Sequence, residues 1–130
     1  MIRYEREVKE PELISALLDE MDHVHIGMFD EDGYPYVVPL NFGYEIKDNK
    51  LYIYTHFSKR GHKLELLRKN SKVCAQFSIF NDFPDRPYKK HRHDYRSVIA
   101  KGKMNIIDYK EDSETYTHGY NLLLSLIHIW

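Results

Sequence analysis

The stretch DEDGYPYVVPLNF, residues 30–42, decides the fold of this 130-residue chain. Residues 30–33 have the composition of a tight turn, and the β-forming residues on either side, 23–29 and 34–44, predict the two arms of a hairpin. Pro39 lies inside the second arm. Because proline has no N–H to donate to a sheet ladder, it predicts an edge strand, a bulge or a point where the backbone leaves its neighbour.

The elements around this hairpin follow in mostly antiparallel order. Apolar residues recur at helical spacing after Pro11, which predicts an amphipathic helix over residues 11–22. Further strands are expected over residues 51–56, 72–80 and 95–107, helices over 61–70 and 111–124, and a loop over 81–94. This order favours a mainly β fold with flanking helices, a small antiparallel barrel, over alternating βαβ units.

Composition and charge narrow the classes of function. The chain has 19 Lys and Arg against 20 Asp and Glu, so a general nucleic-acid binder, which needs a basic excess, is not expected. No stretch approaches the ~20 apolar residues that cross a bilayer. The single cysteine, Cys74, cannot form an intrachain disulfide, and residues 1–9 carry no secretion signal, so we expect a cytoplasmic protein. The 11 tyrosines suit an interface, a planar-ligand pocket or a β-rich core.

The stretch YTHFSKRGHK, residues 54–63, joins a predicted strand to a predicted helix. The unpaired N–H groups and the dipole of a helix start favour anions, and here Ser58 and several basic residues, including Lys63, surround that start. Gly61 lets the backbone approach an anion closely. The stretch therefore indicates a phosphate site, with an ordinary helix start carrying solvated cations as the alternative.

Three other patterns bear on chemistry. The interrupted strand offers a wall of Val38, Leu40 and Phe42 suited to a flat heteroaromatic ring, or it is simply an edge strand. The histidine pairs at 23/25 and 91/93 each point one way in a strand, but nothing completes a ligand set, so no metal site is expected. Cys74 alternates with apolar neighbours and is expected in the core rather than as a nucleophile.

Together these elements resemble the FMN-binding split-barrel proteins related to pyridoxamine 5′-phosphate oxidase, and most of all their nitroimidazole-resistance branch. The resemblance starts at residues 3–8 and rests on D-G-x-P-x-V-x-P-x-N-F at 32–42 and H-x-x-x-x-G-x-K at 56–63. It continues into the last strand at residues 97–102 and covers residues 1–123, which we expect to form one domain. Residues 124–130 resemble the translation of a transposon end used in sequencing libraries, so we expect a non-native tail there, with a real apolar helix end as the alternative.

The resemblance implies a six-stranded antiparallel split β-barrel that forms a homodimer, with FMN in clefts between the subunits. For the FMN phosphate it implies Lys63 and the loop before it, with Ser58 and Gly61. For the isoalloxazine ring it implies backbone and apolar contacts from Val38, Pro39, Leu40 and Asn41. Beside the cofactor would lie Tyr54, Thr55 and His56, and the second subunit would add its copies of Tyr95, Ser97 and Val98.

The implied function is that of an FMN-dependent oxidoreductase. Electrons would come from NAD(P)H and pass to a small molecule such as a nitroaromatic compound of the 5-nitroimidazole type. His56 is the expected proton donor or substrate-orienting group, with a structural hydrogen bond as the alternative. The chain departs from the family at Phe57, where a small or hydroxyl residue is common, and at His62, where Arg is common. The residues that bind the phosphate of the substrate in pyridoxamine 5′-phosphate oxidase have no counterparts in this sequence, so vitamin-B6 oxidation is not expected.

A second hypothesis is a non-catalytic module that holds flavin or heme as a sensor or carrier. A related enzyme hypothesis replaces FMN by a deazaflavin coenzyme. Turnover separates the oxidoreductase from the non-catalytic module, because a carrier binds the cofactor without oxidising any donor.

Overall fold

The computed structural model describes residues 2–7, 9–56, 61–81 and 94–127. Within them seven strands and three helices follow one another: β1 (Ile2–Glu7), α1 (Pro11–Leu18), β2 (His23–Phe29), β3 (Pro35–Asn41), β4 (Gly43–Lys47), β5 (Lys50–Thr55), α2 (His62–Lys69), β6 (Lys72–Asn81), β7 (Asp94–Ile106) and α3 (Ser113–Ile127). The mainly β fold with flanking helices is confirmed. In this part of the chain, every helix is too short or too polar to cross a membrane.

The strands form one antiparallel sheet in the order β3-β2-β6-β7-β1-β5-β4. Strands β3 and β4 are its two edges, and in the described ranges no ladder joins them, so the sheet does not close into a barrel. The residue patterns predicted five strands and the resemblance implied six, whereas the sheet has seven. Two features account for the two strands beyond the predicted five. The first residues of the chain pair with β5 and β7 as β1, and Phe42 divides the predicted strand 34–44 into β3 and β4.

Phe42 divides that strand because its side chain belongs to the core. It is completely buried, and its ring meets the ring of Phe77 edge to face at 4.8 Å between centroids. The chain therefore leaves β2 at Asn41 and pairs with β5 from Gly43 onward. The rest of the core consists of aliphatic and methionine side chains from the sheet, from the end of α1 and the turn after it, and from the three leucines of α2: Leu18, Met21, Val24, Ile26, Met28, Val38, Leu51, Ile53, Leu64, Leu66, Leu67, Val73, Ala75 and Met104.

Helix α1 ends at Leu18, earlier than the predicted residue 22. The chain tightens there into short turns, in which the N–H groups of Glu20 and Met21 donate to the carbonyls of Leu17 and Leu18. These turns still carry Met21 into the core, where it is 3% exposed. The apolar spacing thus predicted the burial of Leu18 and Met21, whereas Leu13, which belongs to the same spacing, is 53% exposed.

The expectation that Cys74 lies in the core is wrong. Val73, Ala75 and Phe77 on β6 are buried, whereas Cys74 is half-buried and faces the opposite side of the sheet. Adjacent residues of a strand point to opposite faces, so an alternating apolar pattern places only every second residue inside. The thiol therefore belongs to the outer face of the sheet.

Candidate functional site

Strand β3 has one edge that no ladder covers in the described part of the chain. Its other edge pairs with β2, where Pro39 lies opposite His25. Because Pro39 has no N–H, this edge position suits it, and the edge-strand prediction is confirmed. The uncovered edge leaves backbone N–H and C=O groups available to a ligand.

The predicted apolar wall of β3 faces inward. Val38 is 8% exposed, Phe42 is fully buried, and Leu40 is half-buried against the core. Pro39 and Asn41 alternate with them and are exposed on the outer face. What β3 can offer a planar ligand is therefore its backbone edge together with the outward side chains, rather than an apolar side-chain wall.

The start of α2 lies beside the β2–β3 turn. His62 Nε2 lies 2.9 Å from Asp30 Oδ2, and the His62 ring meets the ring of Tyr36 edge to face at 5.1 Å. The hydrogen bond between His62 and Asp30 raises the pKa of His62 and lowers the pKa of Asp30. The pair fixes the first turn of the helix against β3.

That first turn has the features of an anion site. Gly61 is the N-cap residue, with φ 141° and no side-chain cap, so it leaves the N–H groups of the turn uncovered by its own side chain. Lys63 is half-buried in the same turn. Both residues are thus where the sequence placed them, whereas Ser58 lies outside the described residues.

The end of β5 lies toward the other end of β3. The antiparallel register pairs Gly43, the first residue of β4, with Tyr54 of β5. Asn41 and Phe42, which precede Gly43, therefore lie on the same side as Thr55 and His56, which follow Tyr54. His56 is exposed, and its ring is 6.4 Å from that of Tyr120 on α3. The structure therefore gathers the predicted residues Asn41, Thr55 and His56 at one end of β3, and Gly61 and Lys63 at the other.

A single carboxylate holds this end of β5 in place. Glu45 on β4 accepts a hydrogen bond from the Tyr54 hydroxyl at 2.9 Å, and its second oxygen lies 2.8 Å from His118 Nε2 on α3. Tyr54 is 2% exposed, so its side chain packs behind the site and does not line it. Sequence analysis missed Glu45, His118 and Tyr120, because nothing local marks residues that meet only through the fold.

Thr55 carries an unusual hydroxyl. The residue is fully buried, and its Oγ1 atom has no hydrogen-bond partner among the described residues. Burying an unpaired hydroxyl costs about 1–3 kcal/mol. Such groups are rare in folded proteins, and a ligand that supplies the missing partner is one explanation.

The last predicted residues lie on β7. Ser97 is exposed and lies directly opposite Ser78 of β6, whereas Val98 is half-buried against the core. On β2, His23 lies opposite Asn41 of β3 and is also exposed. Asn41 and Ser97 therefore lie on β3 and β7, with β2 and β6 between them. The side chain of Tyr95 lies outside the described residues.

Metal ligands do not cluster in the described ranges. In them, no group of three or more His, Cys, Asp or Glu side chains could hold a metal ion. His23 and His25 are both exposed on β2, and His91 and His93 lie outside the described residues.

A comparison with sequence models of protein families matched residues 10–124 to the family described as pyridoxamine 5′-phosphate oxidase. The chain belongs to this family. The match runs from the start of α1 into α3 and includes β3, the end of β5 and the start of α2. The resemblance drawn from the motifs of residues 32–42 and 56–63 is confirmed.

Two crystal structures are similar to the protein. One is a candidate 5-nitroimidazole antibiotic resistance protein from Bacteroides thetaiotaomicron, with 29% identity and a TM-score of 0.70, over 95% of this chain and 70% of that one. The other is an FAD-binding protein from Mesorhizobium loti, with 21% identity and a TM-score of 0.64, over 100% of this chain and 82% of that one. At 21% identity the second supports the fold alone. A comparison with curated proteins gave no match.

Proposed function

We propose that this protein is an FMN-dependent oxidoreductase that reduces nitroaromatic compounds of the 5-nitroimidazole type with electrons from NAD(P)H. The observation that carries the proposal is the Thr55 hydroxyl at the end of β5, which is buried and has no hydrogen-bond partner among the described residues. Thr55 lies where the chain passes from the edge strand β3 into β4. Membership of the pyridoxamine 5′-phosphate oxidase family and the 29% identity to a candidate nitroimidazole-resistance protein support it.

The described residues fit an extended mononucleotide along β3. From Tyr36, which contacts the first turn of α2, to Asn41, which lies toward His56, the strand spans about 17 Å at its usual rise. In our proposal the N–H groups at Gly61 and the Lys63 ammonium bind the phosphate. The β3 edge at Val38 and Pro39 and the outward Asn41 side chain hold the ring.

FMN would supply hydride transfer, which protein side chains alone do not perform. The protein would bind and orient both the cofactor and the substrate. His56 is exposed beside Tyr120, and an imidazole ring nitrogen there can hold or donate the proton that reduction of a nitro group consumes. Glu45 and His118 would keep the end of β5 in position for that role.

We further propose that the protein is a homodimer in which the two subunits enclose the cofactor between them. An edge strand that lacks a neighbour on one side exposes backbone N–H and C=O groups, and a second chain can cover them. In the proposed dimer, strand β7 of the second subunit lies against the Asn41 end of β3, so that its copy of Ser97 completes the cofactor site. The single cysteine fits a reducing compartment, and we place the protein in the cytoplasm.

Flavin binding by matched variants tests the proposal. Lys63→Ala removes the phosphate contact, and since a hydrogen bond to a charged group contributes about 1.5–3 kcal/mol, the Kd for FMN should rise roughly 10- to 150-fold. Lys69→Ala is the control, because Lys69 is exposed at the other end of α2, where it pairs with Glu31. Equal FMN affinity in Lys63→Ala and wild type would contradict the phosphate role.

Turnover tests the enzymatic part separately. The FMN-loaded protein should oxidise NADH or NADPH when a nitroimidazole is present, and the nitro absorbance should fall in step. A protein that binds FMN tightly and shows no donor oxidation with any acceptor would be a flavin carrier, and the oxidoreductase proposal would be wrong.

A further inference from the structure

A row of aromatic rings leads along α3 to the end of β5. Tyr109 meets Tyr116 edge to face at 5.5 Å between ring centroids, and Tyr116 lies parallel to Tyr120 to within 10° at 6.4 Å. Tyr120 in turn meets His56 at 6.4 Å, with the two ring planes 75° apart. Aromatic rings attract one another when their centroids are roughly 4.5–7 Å apart, so each ring in the row contacts the next.

The two rings at the β5 end of the row face solvent. Tyr120 is 42% exposed, and His56 is exposed as well. In the described part of the chain, neither side chain has a hydrogen-bond or ion-pair partner. Their nearly perpendicular planes form a corner, which we call the aromatic corner. A third planar ring can stack on one of its members and meet the other edge to face, the two arrangements that aromatic rings prefer.

The aromatic corner is supported from behind. Tyr116 packs against the buried ring of Tyr54, in an apolar cluster separate from the main core. Glu45 accepts a hydrogen bond from the Tyr54 hydroxyl and pairs with His118 at 2.8 Å, which joins α3 to β4. A side chain that is already ordered loses little conformational entropy when a ligand binds. The corner is therefore a preorganised contact surface.

The corner also lies at the end of β3 where the flavin ring is placed in the proposed function. Asn41 precedes β4 on the same side as His56 follows β5. The phosphate, in that proposal, binds near Gly61 at the opposite end of β3. A molecule that takes electrons from a flavin must lie against the flavin ring, so the acceptor is expected at the Asn41 end, where the exposed rings are.

We propose that Tyr120 and His56 bind the ring of the electron acceptor, and that Tyr120 makes the protein select planar aromatic acceptors over aliphatic ones. The acceptor ring packs against the Tyr120 ring, and its nitro group accepts a hydrogen bond from His56. This inference rests on the proposed function, because it places the acceptor beside the proposed flavin ring. It goes further by assigning the choice of acceptor to a residue of α3.

Equilibrium binding to the oxidised, FMN-loaded protein tests the aromatic corner without turnover. Calorimetric titration with 2-methyl-5-nitroimidazole should show one site per chain, whereas nitroethane, the same nitro group without a ring, should not saturate over the same concentrations. Tyr120→Leu keeps an apolar side chain but loses the ring, so its Kd for the nitroimidazole should rise about 2- to 12-fold. Tyr120→Phe keeps the ring and should bind as tightly as wild type.

A matched variant and a second acceptor serve as controls. Tyr109→Leu removes another exposed tyrosine, at the far end of the row, and should leave the Kd unchanged. The affinity for FMN, and the rate of NADH oxidation with ferricyanide, which has no aromatic ring, should be equal in Tyr120→Leu and wild type. With the nitroimidazole as acceptor, Tyr120→Leu should raise KM by the same factor as the Kd and leave kcat unchanged.

Three results would overturn the proposal. One is the absence of saturable nitroimidazole binding to the FMN-loaded wild type, and another is an equal Kd in Tyr120→Leu and wild type. The third is weaker binding in Tyr120→Phe, or weaker FMN binding in Tyr120→Leu, since Tyr120 would then act through its hydroxyl or on the flavin site. A protein that shows the expected binding but oxidises no donor, even with ferricyanide, would contradict the proposed function while supporting the corner.

Discussion

Replacing Thr55 by Val should stabilise the protein and weaken its flavin binding at the same time. Valine has nearly the same shape as threonine but lacks the hydroxyl, and Thr55 Oγ1 is buried without a partner in the described part of the chain. Removing a buried, unsatisfied polar group recovers about 1–3 kcal/mol. Without FMN, the free energy of unfolding should therefore rise by that amount.

The flavin-bound protein should respond in the opposite direction. If the hydroxyl bonds to the cofactor, its loss should raise the Kd for FMN about 5- to 150-fold, for a contact of roughly 1–3 kcal/mol. Urea unfolding with and without saturating FMN gives the stability change, and fluorescence titration gives the affinity. Thr117→Val on the exposed face of α3 is the control, since surface substitutions usually change stability by less than about 0.5 kcal/mol.

Two results would refute this reasoning. A Thr55→Val protein that is less stable than wild type without FMN would mean that the hydroxyl already has a structural partner. A variant that is more stable but binds FMN as tightly as wild type would mean that the buried hydroxyl has no part in the flavin site.

Three further predictions concern the fold around the site. Because the pKa of Asp30 is lowered from 3.8 and that of His62 is raised from 6.5, their pair stabilises the fold most between about pH 4 and 6.5. Asp30→Asn should therefore lower the urea midpoint more at pH 5.5 than at pH 9, and an equal loss at both would contradict the pair. Gly33→Ala, at φ 85° with no atom within 4 Å of the new Cβ, should cost about 1–2 kcal/mol from backbone strain alone. Phe77→Ala should cost about 3–5 kcal/mol in urea unfolding, and a loss below 1.5 kcal/mol would contradict its place at the centre of the core.

Local patterns in the sequence were sufficient for most of the elements. The turn at residues 30–33 and Pro39 predicted the hairpin and its edge strand, and the apolar spacing after Pro11 predicted the buried face of α1. The strand β1 could not be predicted from its own residues, because its pairing partners β5 and β7 come much later in the chain. The division at Phe42 depends in the same way on a contact with a distant residue, Phe77.

The candidate site was predictable to the extent that short motifs carry it. Gly61 and Lys63 lie in the first turn of α2, and His56 follows the end of β5, as the strand-to-helix stretch predicted. The support of that site is different. Glu45 and His118 come together only through β4 and α3, and the pairing of His62 with Asp30 joins a helix start to a distant turn. No spacing rule within one segment detects such contacts.

Identifying the ligand of the purified protein tests the central claim most directly. The absorption spectrum of the protein should show flavin bands, either as isolated or after incubation with FMN and removal of the excess. Heat should then release FMN, at one molecule per chain, identified by chromatography and mass. A colourless protein that takes up no FMN, or one that releases heme or a deazaflavin instead, would contradict the account.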